Sequence, residues 1–168
     1  DLLSEEGIAA LARALPVLHQ KPSDIDARSD ALYGAWLCGQ ALANAGMAIH
    51  HKLCHTLGGS FNLPHAETHT IVLPHALAYN QGAAPAAYQR MARALQADQR
   101  GISVPQAIYD LAQQHGVPIA LKDLGLSEDQ LKQALDIALQ NQYPNPRPLQ
   151  REPLKDLLYN AWQGVRPA

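Results

Sequence analysis

Apolar positions recur at helical spacing along most of the chain. Ile8, Leu11, Ala12 and Leu15 form one stripe, which predicts a helix over 4–15 closed by Pro16. Residues 16–22 read as a connector, and Ser23 with Asp26 makes a capping box for the next helix. From Asp24 to about Ala45 the pattern is apolar nearly all round, with Leu32, Ala35, Trp36, Cys38, Ala41, Leu42 and Ala45 separated by Gly34, Gly39 and Ala43. Such a helix belongs at the centre of a bundle, its small residues allowing close approach. Gly46 breaks the chain before the following element.

A third helix carries His51 and His55, four apart and therefore on one face. Gly58 and Gly59 are expected to end it, since glycine takes the left-handed C-terminal conformation without steric cost. Asn62 and Pro64 are start signals for a fourth helix, which puts His65 in its first turn, facing back across a hairpin. That helix is expected over 64–79 with a kink at Pro74. After a turn at 82–85, shorter helices are expected over 86–96, from Ser103 and Pro105 to His115-Gly116, and from the capping box Ser127–Gln130 to about Gln140. A Pro-rich loop covers 143–153, and a last helix runs from about Leu154 to Gln163 before Gly164. The fold class is all-α, a compact bundle of about eight helices in one domain over residues 1–168.

Composition narrows the setting. With 47% hydrophobic residues, a single Phe and few β-branched runs, an all-helical fold is favoured. The formal charge of −2 gives no basic field, so nucleic acid is an unsuitable partner. Two cysteines, Cys38 and Cys54, are too few for a disulfide scaffold and fit a cytoplasmic location. No run of eighteen apolar residues points to a membrane. The chain opens on Asp1 without a methionine, which leads to the expectation that it starts inside a larger protein.

The chemistry is concentrated in residues 50–69, which hold five of the eight histidines. Neutral imidazoles at His-x3-His-x9-His spacing suit a divalent cation such as zinc or ferrous iron. The spacing is not that of the His-Glu-x-x-His metalloproteases, because Lys52 stands where their glutamate would be.

The string Gly46-Met47-Ala48-Ile49-His50-His51-Lys52-Leu53-Cys54-His55-Thr56-Leu57-Gly58-Gly59 is continued by Leu63-Pro64-His65-Ala66-Glu67-Thr68-His69-Thr70 and Leu73-Pro74-His75. Together these strings resemble the iron-containing alcohol dehydrogenase superfamily, and within it the maleylacetate reductase branch. Ala48, Cys54 and Ala66 replace the glycine, alanine and glycine of the general superfamily pattern, and those departures point to the branch. The resemblance implies a dehydroquinate synthase-like C-terminal helical domain whose N-terminal α/β partner, which binds NADH or NADPH, is absent from this chain. It further implies a metal, iron or zinc, held by an aspartate and three histidines, of which His51 and His65 match two positions. The other two ligands would lie upstream of Asp1. His55 matches an active-site histidine that does not ligate the metal and could relay a proton.

Maleylacetate is a dianion, so Lys52 and His69 are expected as carboxylate contacts. His50 is expected to be structural, with a pairing to Cys54 as an alternative, and His19, His75, His115 and Cys38 are expected to be structural. The implied enzyme is a cytoplasmic homodimer in aromatic-compound degradation that reduces maleylacetate to 3-oxoadipate. Two alternatives stand beside it. One is a metal-dependent alcohol dehydrogenase domain acting on a small alcohol or aldehyde; the other is a helical metal-binding module without catalysis.

Overall fold

A computed structural model describes residues 2–140 and 143–168. Among these residues there are eight α-helices and no strand: α1 (Leu2–Gln20), α2 (Ile25–Ala43), α3 (Ile49–Phe61), α4 (His65–Asn80), α5 (Pro85–Ala94), α6 (Val104–Gln114), α7 (Glu128–Gln140) and α8 (Arg151–Gln163). Short 3₁₀ turns cover Gln81–Ala83 and Leu121–Leu124. The all-α expectation holds. The chain divides into two compact units, one of Asp1–Gly46 with Ala86–Ser103 and one of Met47–Pro85 with Val104–Ala168.

The first unit is built on the α1–α2 pair. Gly7, Ala10 and Ala14 are buried on α1, and Ala27, Gly34 and Leu37 on α2, so small residues form the contact. A Cβ added to Gly34 would lie 2.9 Å from both the Gly7 carbonyl oxygen and Leu11 Cγ, and one on Gly7 would lie 2.7 Å from Cys38 Sγ. The two backbones therefore approach as closely as glycine allows. This packing carries α1 past Pro16 to Gln20, where the sequence pattern stops at 15; the next turn is closed by Lys21 N–H donating to the Val17 carbonyl at 2.8 Å. Burial of Gly7, Ala10 and Ala14 earlier in α1 offsets the one hydrogen bond that proline removes. Glu5 ties α5 to α1 through Arg90 at 3.2 Å and Arg93 at 3.1 Å.

Two expectations for α2 are corrected. Its N-cap is Asp24, whose carboxylate accepts from Ala27 N–H at 3.0 Å, rather than Ser23, because Asp24 is the last residue with extended backbone. Nor is the helix buried all round within this unit. Leu32 is 73% and Trp36 59% exposed, and Tyr33 and Leu42 are also exposed, because α1 covers one face only. Tyr33 and Trp36 stack on each other at 6.5 Å between ring centroids.

The second unit has its own core, centred on Leu53 and Leu57 of α3, Ile71 and Val72 of α4, Leu121, and Leu154 and Leu158 of α8. Helix α4 packs against α3, α6 and α8, and α7 against α3 and α8. The capping box of α7 forms as the sequence implies. Gln130 N–H donates to Ser127 Oγ at 3.3 Å, and Ser127 N–H to Gln130 Oε1 at 2.9 Å. Helix α8 starts three residues before the expected Leu154, since Pro153 sits in the first turn where its missing N–H has no helical partner to lose. It ends at Gly164, where φ is 75° and an added Cβ would lie 3.0 Å from Ala120 Cβ, so both backbone conformation and space require glycine. No helix among the described residues is long and apolar enough to cross a membrane.

The α1–α2 contact gives a direct test. Gly34→Ala is expected to destabilise the protein by about 1–3 kcal/mol through overpacking. Gly39→Ala, where a Cβ meets nothing within 4 Å, is expected to be neutral or stabilising by up to about 1 kcal/mol. Thermal melts followed by circular dichroism separate the two.

Candidate active site

Helix α3 does not stop at Gly58-Gly59. It continues to Phe61 and ends at Asn62, which takes the left-handed conformation with φ 55° and donates its N–H to the Gly58 carbonyl at 3.0 Å. Burial of Leu57 and partial burial of Phe61 against the core hold this extra turn and offset the cost of two glycines, about 1 kcal/mol each. Asn62 thus closes α3 rather than opening α4. Pro64 precedes α4, and His65 is its first residue, as the spacing implies.

The start of α3 lacks a side-chain cap of its own, because Ala48 stands there. Asn145 supplies it: its Oδ1 accepts from Ile49 N–H at 3.3 Å and from Asn80 Nδ2 at 3.1 Å. Asn145 Nδ2 in turn donates to Asn80 Oδ1 at 2.8 Å and to the Arg147 carbonyl at 2.6 Å. The Arg147 guanidinium lies 4.5 Å from the centroid of the Tyr79 ring, and Tyr79 Oη donates to the Pro148 carbonyl at 2.8 Å. The segment 145–150 therefore fixes the first residue of α3 to the last turn of α4, and with it the register of the two histidine-bearing helices.

Between those helices five imidazoles converge. Ring centroids are 5.1 Å apart for His50 and His51, 4.9 Å for His50 and His69, and 5.1 Å for His51 and His69. His65 lies 4.1 Å from His69, and His55 6.3 Å from His51. His69 is the hub. His50, His51 and His69 each place one potential ligand nitrogen within 4.8 Å of the others, and they form the group suited to a metal ion among the described residues. His55 and His65 are exposed at the edge, as is Lys52, whose ammonium sits 5.8 Å from the Tyr143 ring centroid.

The expected His51, His55, His65 and His69 thus come together. His50, expected to be structural, joins them, because α4 lays His69 across the seam between two adjacent α3 positions. Spacing along α3 alone carries no sign of this. His50 Nε2–H donates to the His69 carbonyl at 3.0 Å, and Cys54 Sγ faces the Thr68 carbonyl at 3.9 Å, so each has a partner other than the one in the alternative His50–Cys54 pairing.

Burial and mutual repulsion hold the inner imidazoles neutral. Desolvation lowers the pKa of His50, with a smaller opposing effect from its bond to His69 and a further lowering from His51. His51 is lowered by desolvation and then by His55 and His65. His69 is pushed down to about 4 by desolvation, then by the four imidazoles around it. Its Nε2 is buried with no hydrogen-bond partner. Neutral imidazoles at neutral pH can accept a proton, donate one hydrogen bond or ligate a cation. Burial pushes Cys54 up to about 12, so its thiol stays protonated and inert.

An all-helical chain with this imidazole cluster in an α3–α4 hairpin agrees with the C-terminal helical domain that the sequence resemblance implies. The family model described as Fe-containing alcohol dehydrogenase family, C-terminal, matches residues 1–162, and the chain belongs to that family. A maleylacetate reductase from Burkholderia cepacia is 54% identical over 168 residues, covering 99% of this chain and 46% of that protein. Among solved structures, a Ralstonia eutropha JMP134 protein described provisionally as an alcohol dehydrogenase superposes with a TM-score of 0.96 at 59% identity, covering 99% of this chain and 47% of that one. The maleylacetate reductase of Agrobacterium tumefaciens superposes with a TM-score of 0.92 at 45% identity, with coverage of 99% and 46%. The chain spans about half the length of the curated relatives it matches.

The family implies iron. The donor set here fits a nitrogen-ligated divalent cation: the orphaned Nε2 of His69 lies among neutral imidazoles, and no carboxylate belongs to the group among the described residues.

Two outcomes are expected. Asn145→Ala removes the borrowed cap of α3 and its bonds to Asn80, and should cost about 1–3 kcal/mol in urea unfolding. His75, on the buried side of α4 and 4% exposed, is pushed down to about 4 by burial, with Nε2 unpartnered. Because this lies below the ordinary 6.5 of the unfolded chain, the unfolded chain takes up the proton first. The stability is fully present above pH 6.5 and is lost as the pH falls toward 4, by about 3 kcal/mol. His75→Leu should shrink the difference in unfolding free energy between pH 7 and pH 4 by about that amount.

Proposed function

We propose that this chain is the helical part of an NADH- or NADPH-dependent maleylacetate reductase, which reduces the conjugated double bond of maleylacetate to give 3-oxoadipate in aromatic-compound degradation. The observation that carries this reading is the 54% identity to a maleylacetate reductase across 99% of the chain. Nucleotide binding falls mainly to residues outside this chain. The same reading makes the intact enzyme a cytoplasmic homodimer.

A bound nicotinamide would supply hydride chemistry for reducing the double bond, and an iron or zinc ion, if part of the enzyme, would be held by ligands that include His51 and His65 and would supply electrophilic polarisation. The electron pair of the double bond passes to the enolate, and a proton must reach the carbon beside the ketone. His55, exposed one turn along from His51, is positioned to deliver that proton. Lys52, exposed beside Tyr143, provides a cation for one substrate carboxylate. His69 is neutral, so it meets a carboxylate as a hydrogen-bond donor and not as a cation. The half-buried inner imidazoles place fixed donors beside the developing enolate, where such donors act most strongly.

The test is NADH or NADPH oxidation by the intact protein with maleylacetate, before and after chelation. Oxidation is expected, with His55→Gln lowering kcat by about a hundredfold or more and Lys52→Met raising KM roughly tenfold. Absence of oxidation, together with metal-dependent turnover of simple alcohols, would make the protein an alcohol dehydrogenase.

A further inference from the structure

The geometry points to Tyr143 as a positioning residue for Lys52: its ring, backed by the core, sets the ammonium where it meets one carboxylate of a dianionic substrate. This rests on the reductase reading, in which Lys52 is a carboxylate contact. Nothing in the spacing of the histidine helices singles Tyr143 out.

A lysine on a helix surface carries its charge on a flexible four-carbon stem, so the ammonium spreads over many positions unless something holds it. Lys132 and Lys155 pair with carboxylates of their own helices, whereas no ion pair among the described residues involves Lys52. The residues three and four places from it are Ala48, Ile49, His55 and Thr56, none of them acidic. What lies beside it is an aromatic face. Lys52 Nζ is 5.8 Å from the centroid of the Tyr143 ring, within the reach over which a ring quadrupole attracts a cation.

The ring is itself fixed. Tyr143 packs against the core of the second unit, and its hydroxyl is buried without a hydrogen-bond partner. Burial, and then Tyr79, push that hydroxyl up to about 12, so a neutral ring and not a phenolate faces the ammonium. The ring face is therefore the part of Tyr143 that acts on Lys52. Two residues further on, Asn145 Oδ1 accepts from Ile49 N–H at 3.3 Å. Ile49 and Lys52 are three apart and share a side of α3, so the segment that caps the helix also brings the ring up beside its lysine.

The roles then divide. Lys52 supplies charge to the carboxylate, and Tyr143 touches Lys52 and restricts it, which lowers the cost of ordering the side chain when substrate binds. Loss of the ring should weaken binding of the dianion and leave the chemical step nearly unchanged.

Steady-state kinetics of the intact protein with maleylacetate test this in a double-mutant cycle. Tyr143→Leu is expected to raise KM about threefold, with kcat changed less than about 1.5-fold. Tyr143→Phe, which keeps the ring, should bring KM back to within about 1.5-fold of the unaltered protein. In the Lys52→Met background, Tyr143→Leu should raise KM no further. A full threefold rise in that background, a fall in kcat equal to the loss in kcat/KM, or a KM for Tyr143→Phe as high as for Tyr143→Leu overturns the role. Proton–carbon NMR of the lysine ε-methylene groups reads the contact without turnover or a disruptive variant. The ring current should put the Lys52 signal upfield of that of exposed Lys21, both in the unaltered protein and in Tyr143→Phe. Coincidence of the two signals in an active enzyme overturns the role of Tyr143 alone. An upfield Lys52 signal in a protein that does not oxidise NADH or NADPH with maleylacetate overturns the reductase reading, and with it the substrate assigned to Lys52.

Discussion

The packing of α3 against α4 is the constraint on which the second unit depends. Ile49, Leu53, Cys54 and Leu57 are buried on one helix, and Thr68, Ile71 and Val72 on the other. The apolar faces must meet, and the residues next to them on both helices are histidines. Burial that stabilises the core therefore also crowds five imidazoles and strips water from the inner ones. Their low pKa values follow from where the apolar residues put them, with mutual repulsion adding to the effect.

Fixing that seam falls to residues far from the histidines in sequence. Asn145 caps α3 and binds Asn80 at the end of α4, while Arg147 and Pro148 hold Tyr79. A loop rich in proline is well suited to this, because it loses little conformational freedom when it orders. The site is thus positioned from three segments, two helices that carry the imidazoles and one loop that sets their register.

Much of this was legible in the sequence because local chemistry and tertiary packing agree. The Ser127–Gln130 box, the placement of His65 in a first turn and the Gly164 stop all appear where the residue types imply. The misses arise where packing overrides a local signal. Pro16 and Gly58-Gly59 read as helix ends, yet both helices run through them: α1 is anchored by Ala10 and Ala14 before Pro16, and α3 by buried Leu57 and half-buried Phe61 on the two sides of its glycines. The apolar pattern of α2 implied burial all round, but a single neighbouring helix in its unit covers one face and leaves Leu32 and Trp36 exposed. His50 could not be assigned from spacing, since its part in the cluster is set by where α4 crosses α3.

The neutrality of the imidazole hub underlies the proposed chemistry. Long-range proton–nitrogen NMR of the histidine rings in the intact, metal-free protein measures it directly. The expected result is a His69 ring that keeps one neutral tautomer from pH 7 to about 5 and takes up its proton only near pH 4. Titration of His69 at its ordinary value near 6.5 would contradict the account, because the hub would then be solvated and charged where its half-burial and its neighbours favour the neutral ring.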